Sequence, residues 1–114
     1  MNLSALGDIL GSRSAEAVLL HLFHHGETYG RAVSNDLDLS LEPIQRQLEK
    51  FRLAGVLVSK KQGRTLVYSW NPKSRVAPRL RELVAVCYES IPLERRTSLF
   101  STRRRPRAKD KPVT

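Results

Sequence analysis

The chain has 114 residues, 40% of them hydrophobic, and a formal net charge of +9. That length suits one domain with a tail, and that apolar content suits a packed core over a disordered chain. A single cysteine, Cys87, excludes an internal disulfide, and no apolar run approaches the roughly 20 residues of a membrane span.

A strongly basic small protein usually meets a polyanion, either nucleic acid or an anionic membrane surface. The charge is uneven. Residues 93–114 carry eight basic and two acidic side chains, a net +6, against +3 for residues 1–92. The N-terminus, MNLSALGDIL, lacks the basic start and cleavage site of a signal peptide, so a reducing cytoplasm is the expected compartment and no membrane is expected as partner.

In chain order, Leu3–Leu10 can form a short first helix. Ser14 is placed to cap a stronger one, in which Ala15, Val18, Leu19, Leu22 and Phe23 recur at helical spacing and Gly26 ends the run. Thr28 is the expected cap of a short helix through Arg31, Ala32, Val33 and Leu37. After Asp38 and Leu39, Ser40 is the expected N-cap of a helix from Leu41 to about Ala54, with Pro43 tolerated in the first turn and Gly55 as the stop. VLVSKK and TLVYSW, separated by QGR, predict a β-hairpin closed by Asn71-Pro72. Val76, Leu80, Leu83, Val84, Cys87, Tyr88 and Ile91 then repeat at intervals of three and four, which predicts an amphipathic last helix ended by Pro92. Residues 93–114 show charge and proline without periodicity and are expected to be a disordered basic tail after a folded unit of residues 1–92.

The predicted order is helix, helix, short helix, longer helix, hairpin, helix: a mainly α fold with a small β-hairpin (α+β), in winged helix-turn-helix arrangement. Over about residues 14–91 the sequence resembles the ArsR-like winged-helix regulators. The resemblance is carried by Leu37, Leu39, Ser40, Ile44, Leu48, Phe51, Ala54, Gly55, Val56, Leu57, Gly63, Arg64, Tyr68, Asn71 and Pro72. Two positions depart from it. Asp38 stands where a turn glycine is usual, and aspartate tolerates a left-handed backbone better than most residues. Pro43 stands where a small polar residue often touches DNA. The resemblance implies a sequence-specific transcriptional regulator of double-stranded DNA, with helix 41–54 in the major groove and hairpin tip 60–65 on the backbone or in the minor groove.

Successive helical residues step by roughly 100°, so Ile44, Leu48 and Phe51 share one face while Glu42, Arg46 and Glu49 lie nearly opposite, with Gln45 and Lys50 on the flanks. Gln45 and Arg46 are the expected base readers, Gln pairing with adenine and Arg with guanine, and Glu42 can accept from a cytosine amino group. The expected contact set is Ser40, Leu41, Glu42, Gln45, Arg46, Lys50, Lys60, Lys61 and Arg64. Within it, Ser40 caps the helix beside a phosphate-binding N-terminus, and Lys60, Lys61 and Arg64 meet phosphates. Lysines on a hairpin also defend an exposed edge, which is compatible with that role.

His21 and His25 share a helix face and can supply two metal ligands, but no carboxylate or cysteine stands at a sensing spacing, so no metal or other cofactor is expected and the histidines are read as surface and helix-end residues. Cys87 lies on an apolar stripe and is expected to be buried and inert. No phosphate loop, nucleophile motif or paired carboxylates argue for an enzyme. Leu80, Leu83, Val84, Cys87, Tyr88 and Ile91 make a stripe wider than a small core needs and are the expected homodimer interface. Two other readings remain open. One is a winged-helix module for protein partners, favoured by an outward Leu53. The other is a nonspecific nucleic-acid binder driven by the Arg-rich tail.

Overall fold

The computed structural model describes residues 2–101. Among the described residues there are six helices and one antiparallel sheet of three strands, an α+β fold. Among the described residues no helix is long and apolar enough to cross a membrane.

The first helix, α1 (Ala5–Leu10), is shorter than Leu3–Leu10 because Ser4 takes the N-cap position and accepts from the Leu6 N–H. Leu3 and Ser4 are instead fastened to the buried Glu16. Its carboxylate accepts the Leu3 N–H at 2.9 Å, the Ser4 N–H at 2.6 Å and the Ser4 hydroxyl at 2.8 Å. A buried carboxylate is tolerable only with such donors around it.

Glu16 belongs to α2 (Arg13–His25), the centre of the molecule. Ser12, not Ser14, caps it, accepting from the Ala15 N–H at 3.0 Å. Residues 15–22 of α2 are all buried, so the predicted single stripe is in fact a helix covered on every side. Helices α3 (Gly30–Leu37), α4 (Leu41–Leu53) and α5 (Ala77–Glu89) all pack against it, as does strand β1 (Glu27–Thr28).

Thr28 does not cap α3. It lies in β1, paired with Tyr68, and Tyr29 takes the N-cap position with no side-chain bond. The sheet runs β1–β3–β2, with β2 at Leu57–Gln62 and β3 at Thr65–Trp70. The expected hairpin is therefore present, with an unexpected two-residue strand on its other side. At the open end of the hairpin Asn71 donates its side-chain N–H to the Gly55 carbonyl at 2.8 Å and its backbone N–H to the Val56 carbonyl at 2.9 Å, joining β3 to the end of α4.

The last long helix, α5, ends at Glu89, before the Pro92 stop, and the Ser90 hydroxyl donates to the Cys87 carbonyl at 2.6 Å. The expected boundary at Pro92 does not hold. Leu93–Leu99 forms α6, and Phe100 beyond it is 2% exposed. Arg96 of α6 donates to the Ile91 carbonyl at 2.8 Å and stacks on the Tyr88 ring at 4.7 Å. Phe100 packs among His21, His24 and Tyr88. One buried aromatic thus anchors a segment whose sequence lacks an apolar period. Residues 102–114, the rest of the expected tail, lie outside the described residues.

Candidate nucleic-acid interface

Helices α3 and α4 are joined by Asp38, Leu39 and Ser40. Asp38 sits at φ 54°, ψ 51°, and is the one non-glycine residue with positive φ among those described. Ser34 locks the turn: its hydroxyl donates to the Leu39 carbonyl at 2.6 Å, and its carbonyl accepts the Asp38 and Leu39 N–H groups.

Ser40 holds the N-cap position of α4 in extended conformation, but its side chain makes no capping bond. A capping hydroxyl accepts from the second or third N–H of the helix, and the third residue here is Pro43, which has none. The expected cap is thereby weakened, and the exposed Ser40 hydroxyl stands at an uncapped helix N-terminus.

Along α4, Ile44, Leu48 and Phe51 face the core. Glu42, Gln45, Arg46 and Lys50 are exposed, and Leu41 is half-buried. Arg46 lies 3.4 Å from Glu42, an exposed pair one turn apart, so the guanidinium is held loosely on the first half of the helix. Gln45 leans over the start of α3. A Cβ built on Gly30 would come within 2.7 Å of its Oε1, so glycine is the residue that allows this approach. Lys50 reaches over the Phe51 ring at 5.4 Å.

Glu49 does not stand out in solvent opposite the core. It is half-buried, and its carboxylate accepts from Arg52 at 2.9–3.1 Å and from the Tyr68 hydroxyl at 2.7 Å. The Arg52 bond first, and the Tyr68 bond second, lower the pKa of Glu49. Burial, followed by the bond to Glu49, raises that of Tyr68. This link between α4 and the sheet carried no signal in the sequence, because its partners are 19 residues apart.

The hairpin turns at Gly63-Arg64, with Gln62 opposite Thr65. Positive φ at Gly63 and not at Arg64 fits a type II′ turn. Lys60, Lys61 and Arg64 are all exposed. They do not form one basic face, since Lys60 pairs with Val67 and Lys61 with Leu66 and adjacent residues point to opposite sides. Lys61 shares its face with Tyr68, whose hydroxyl reaches α4, while Lys60 points away. On the same strand face Tyr68 is buried, Trp70 is half-buried against the same core, and Leu66 is exposed.

The expected dimer stripe is largely internal to one chain. Val84, Cys87 and Ile91 are buried, and Leu80 and Tyr88 are half-buried against the same core. Leu83 alone of the six is exposed, at 37%, and it is joined on the outside of α5 by Val86.

His24 and His25 lie in the last turn of α2 and are half-buried, whereas His21 is not a surface residue. His21 is fully buried, with Nε2 2.7 Å from Asp36 Oδ2 and Nδ1 2.8 Å from Thr28 Oγ1. Burial is the largest influence on it and holds its pKa down to about 4, so the ring is neutral near pH 7. His24 Nδ1 lies 2.8 Å from the Tyr88 hydroxyl, and burial, then the charge of Arg96, lowers its pKa. Searches against known families, characterised proteins and solved structures find no match to this chain.

Proposed function

We propose that the protein is a non-enzymatic, cytoplasmic winged helix-turn-helix regulator that reads double-stranded DNA with α4. The observation that carries this reading is the projection of Glu42, Gln45 and Arg46 from the first half of α4, away from the Ile44–Leu48–Phe51 core face. The first half of a recognition helix is the part that reaches base edges in the major groove. Asp38 supplies the left-handed turn, and Lys61, on the hairpin face joined to α4 by Tyr68, is the cation best placed for an adjacent phosphate. Lys60 and Arg64 then serve the backbone from the edge and tip of the wing.

The reading is tested by fluorescence anisotropy on selected and random duplexes. Arg46→Ala costs about 1–3 kcal/mol on the selected duplex and little on random DNA, whereas Lys61→Ala weakens both alike. Equal loss on both duplexes for Arg46→Ala removes Arg46 as a reader.

A protein-binding module is the second reading, favoured by one observation. Leu53 is 75% exposed at the end of α4, and Val58 and Leu66 of the hairpin are exposed too. That reading predicts that Leu53→Ser abolishes the interaction and leaves duplex affinity unchanged. A homodimer is proposed through a narrower surface than the sequence suggests: Leu83 and Val86 on α5, with Ile9 on the neighbouring α1.

A further inference from the structure

We propose that His21, His25 and Asp36 form a binding site for a divalent d-block cation with zinc-like preferences. His21 and His25 stand one turn apart on α2, and Asp36 enters from α3. One ligand atom from each lies within 4.8 Å of the other two. The rings of His21 and His25 are 4.6 Å apart and tilted by 48°. Sequence spacing hides the set, because the carboxylate comes from the next helix, 15 residues after His21.

The donor chemistry selects the ion. Two imidazole nitrogens and one carboxylate suit Zn²⁺ and its neighbours, whereas Mg²⁺ and Ca²⁺ prefer oxygen throughout and the softest ions prefer thiolate. Three protein ligands leave the fourth tetrahedral position for water. With bonds of about 2.0–2.2 Å, tetrahedral ligands lie roughly 3.3 Å apart. The His21–Asp36 pair, now at 2.7 Å, therefore opens by roughly 0.6 Å to admit the ion. His25 is the last residue of α2, followed by Gly26, and is half-buried where the His21 ring is fully buried.

Thr28 makes the site workable. A neutral imidazole carries one N–H; because the Asp36 carboxylate 2.7 Å from Nε2 can only accept, that proton belongs on Nε2 in the ion-free protein, which leaves Nδ1 to accept from the Thr28 hydroxyl. A cation at Nε2 requires the other tautomer. The ring proton then sits on Nδ1 and donates to Thr28 Oγ1, and the hydroxyl only has to rotate. Such an outer hydrogen bond fixes ring orientation in metal sites. The imidazole stays neutral throughout, so the exchange moves one proton between its nitrogens with no net gain or loss. His24, held by Tyr88, is not part of the set.

The test is calorimetric titration of the full chain with Zn²⁺ alone, with no DNA present, so that its outcome is independent of the proposed function. The expected result is one ion per chain with Kd below about 10 µM. Asp36→Asn and His25→Gln, both conservative and outside the fully buried ring, each weaken binding by at least about tenfold, and His24→Gln does not. No saturable binding, or equal binding by all four proteins, overturns the proposal. A second measurement needs no variant: ¹⁵N resonances of the His21 ring in the unmodified protein report which nitrogen carries the proton. Transfer from Nε2 to Nδ1 on adding Zn²⁺ supports the site, and a ring still protonated at Nε2 under saturating Zn²⁺ overturns it.

Discussion

The Tyr68 hydroxyl donates to the Glu49 carboxylate across 2.7 Å, and this bond ties the middle strand of the sheet to the helix proposed to read DNA. Tyr68 is buried, so Phe in its place keeps the ring packing and removes only the hydroxyl. Tyr68→Phe is expected to cost about 1–2 kcal/mol in urea unfolding at pH 7, the range for a hydrogen bond to a charged partner that is itself partly solvated. Glu49 ionises more readily in the folded chain than in the unfolded one. Its contribution is therefore fully present above the ordinary glutamate value of 4.5 and is lost as the pH falls through the lower folded value. The stability gap between wild type and Tyr68→Phe accordingly shrinks below about pH 4.5. A gap that is constant down to pH 3 contradicts the assignment.

Phe100 separates two kinds of truncation. Phe100→Ala is expected to cost about 3–5 kcal/mol, the range for a large aromatic removed from a core, and deletion of residues 93–114 at least as much. Deletion of residues 102–114 alone is expected to leave the unfolding midpoint unchanged. It should flatten the salt dependence of duplex binding, since of the eight basic residues after Pro92 it leaves only Arg95 and Arg96. Circular dichroism melts of the three proteins check the first part, and affinity against salt concentration checks the second.

Asp38 tests the turn before α4. Glycine adopts its left-handed backbone without penalty, so Asp38→Gly is expected to hold or slightly raise stability. Asp38→Val is expected to lose about 1–2 kcal/mol, because a β-branched residue pays the full steric cost there. Equal denaturation midpoints for the two variants contradict the geometry.

What the sequence made legible is what its neighbours determine. The stripe Ile44, Leu48, Phe51, the stop at Gly55 and the turn at Gly63 are local signals, and each marks the element that forms there. Asp38 is left-handed because its short polar side chain is among the few that tolerate it. Elsewhere the deciding partner is distant. Strand β1 has two residues and exists only because Tyr68 and Ser69 pair with it. Ser12 and Ser14 stand two residues apart ahead of the same apolar run, and because α2 begins at Arg13 the cap falls to Ser12 and not to the expected Ser14. The α5 stripe reads as wider than one core needs because Phe100, which covers Tyr88 from the far side of Pro92, carries no periodic signal. Ser40 loses its capping bond to Pro43 three residues on, a conflict visible in the sequence once the helix register is fixed. Glu49 and Asp36 find partners 19 and 15 residues away, beyond any local pattern.

The proposed dimer rests on the outside of α5. Leu83→Asp with Val86→Asp is expected to give a folded monomer, because neither side chain is buried. Sedimentation velocity of wild type and variant, with circular dichroism as the folding control, checks it. A wild-type protein that sediments as a monomer at roughly tens of micromolar contradicts a dimer of useful affinity.

The central claim is that α4 reads sequence in a DNA duplex. The most direct measurement is selection of bound duplexes from a randomised library by the 114-residue chain at about 0.15 M salt, repeated with Arg46→Ala. An enriched motif is predicted, with loss of preference under Arg46→Ala at a position where wild type selects guanine. A dimer would show that motif twice, with half-sites about one helical turn apart. Recovery of duplexes with no enriched motif, or the same motif at the same strength with Arg46→Ala, contradicts α4 as the helix that reads the bases.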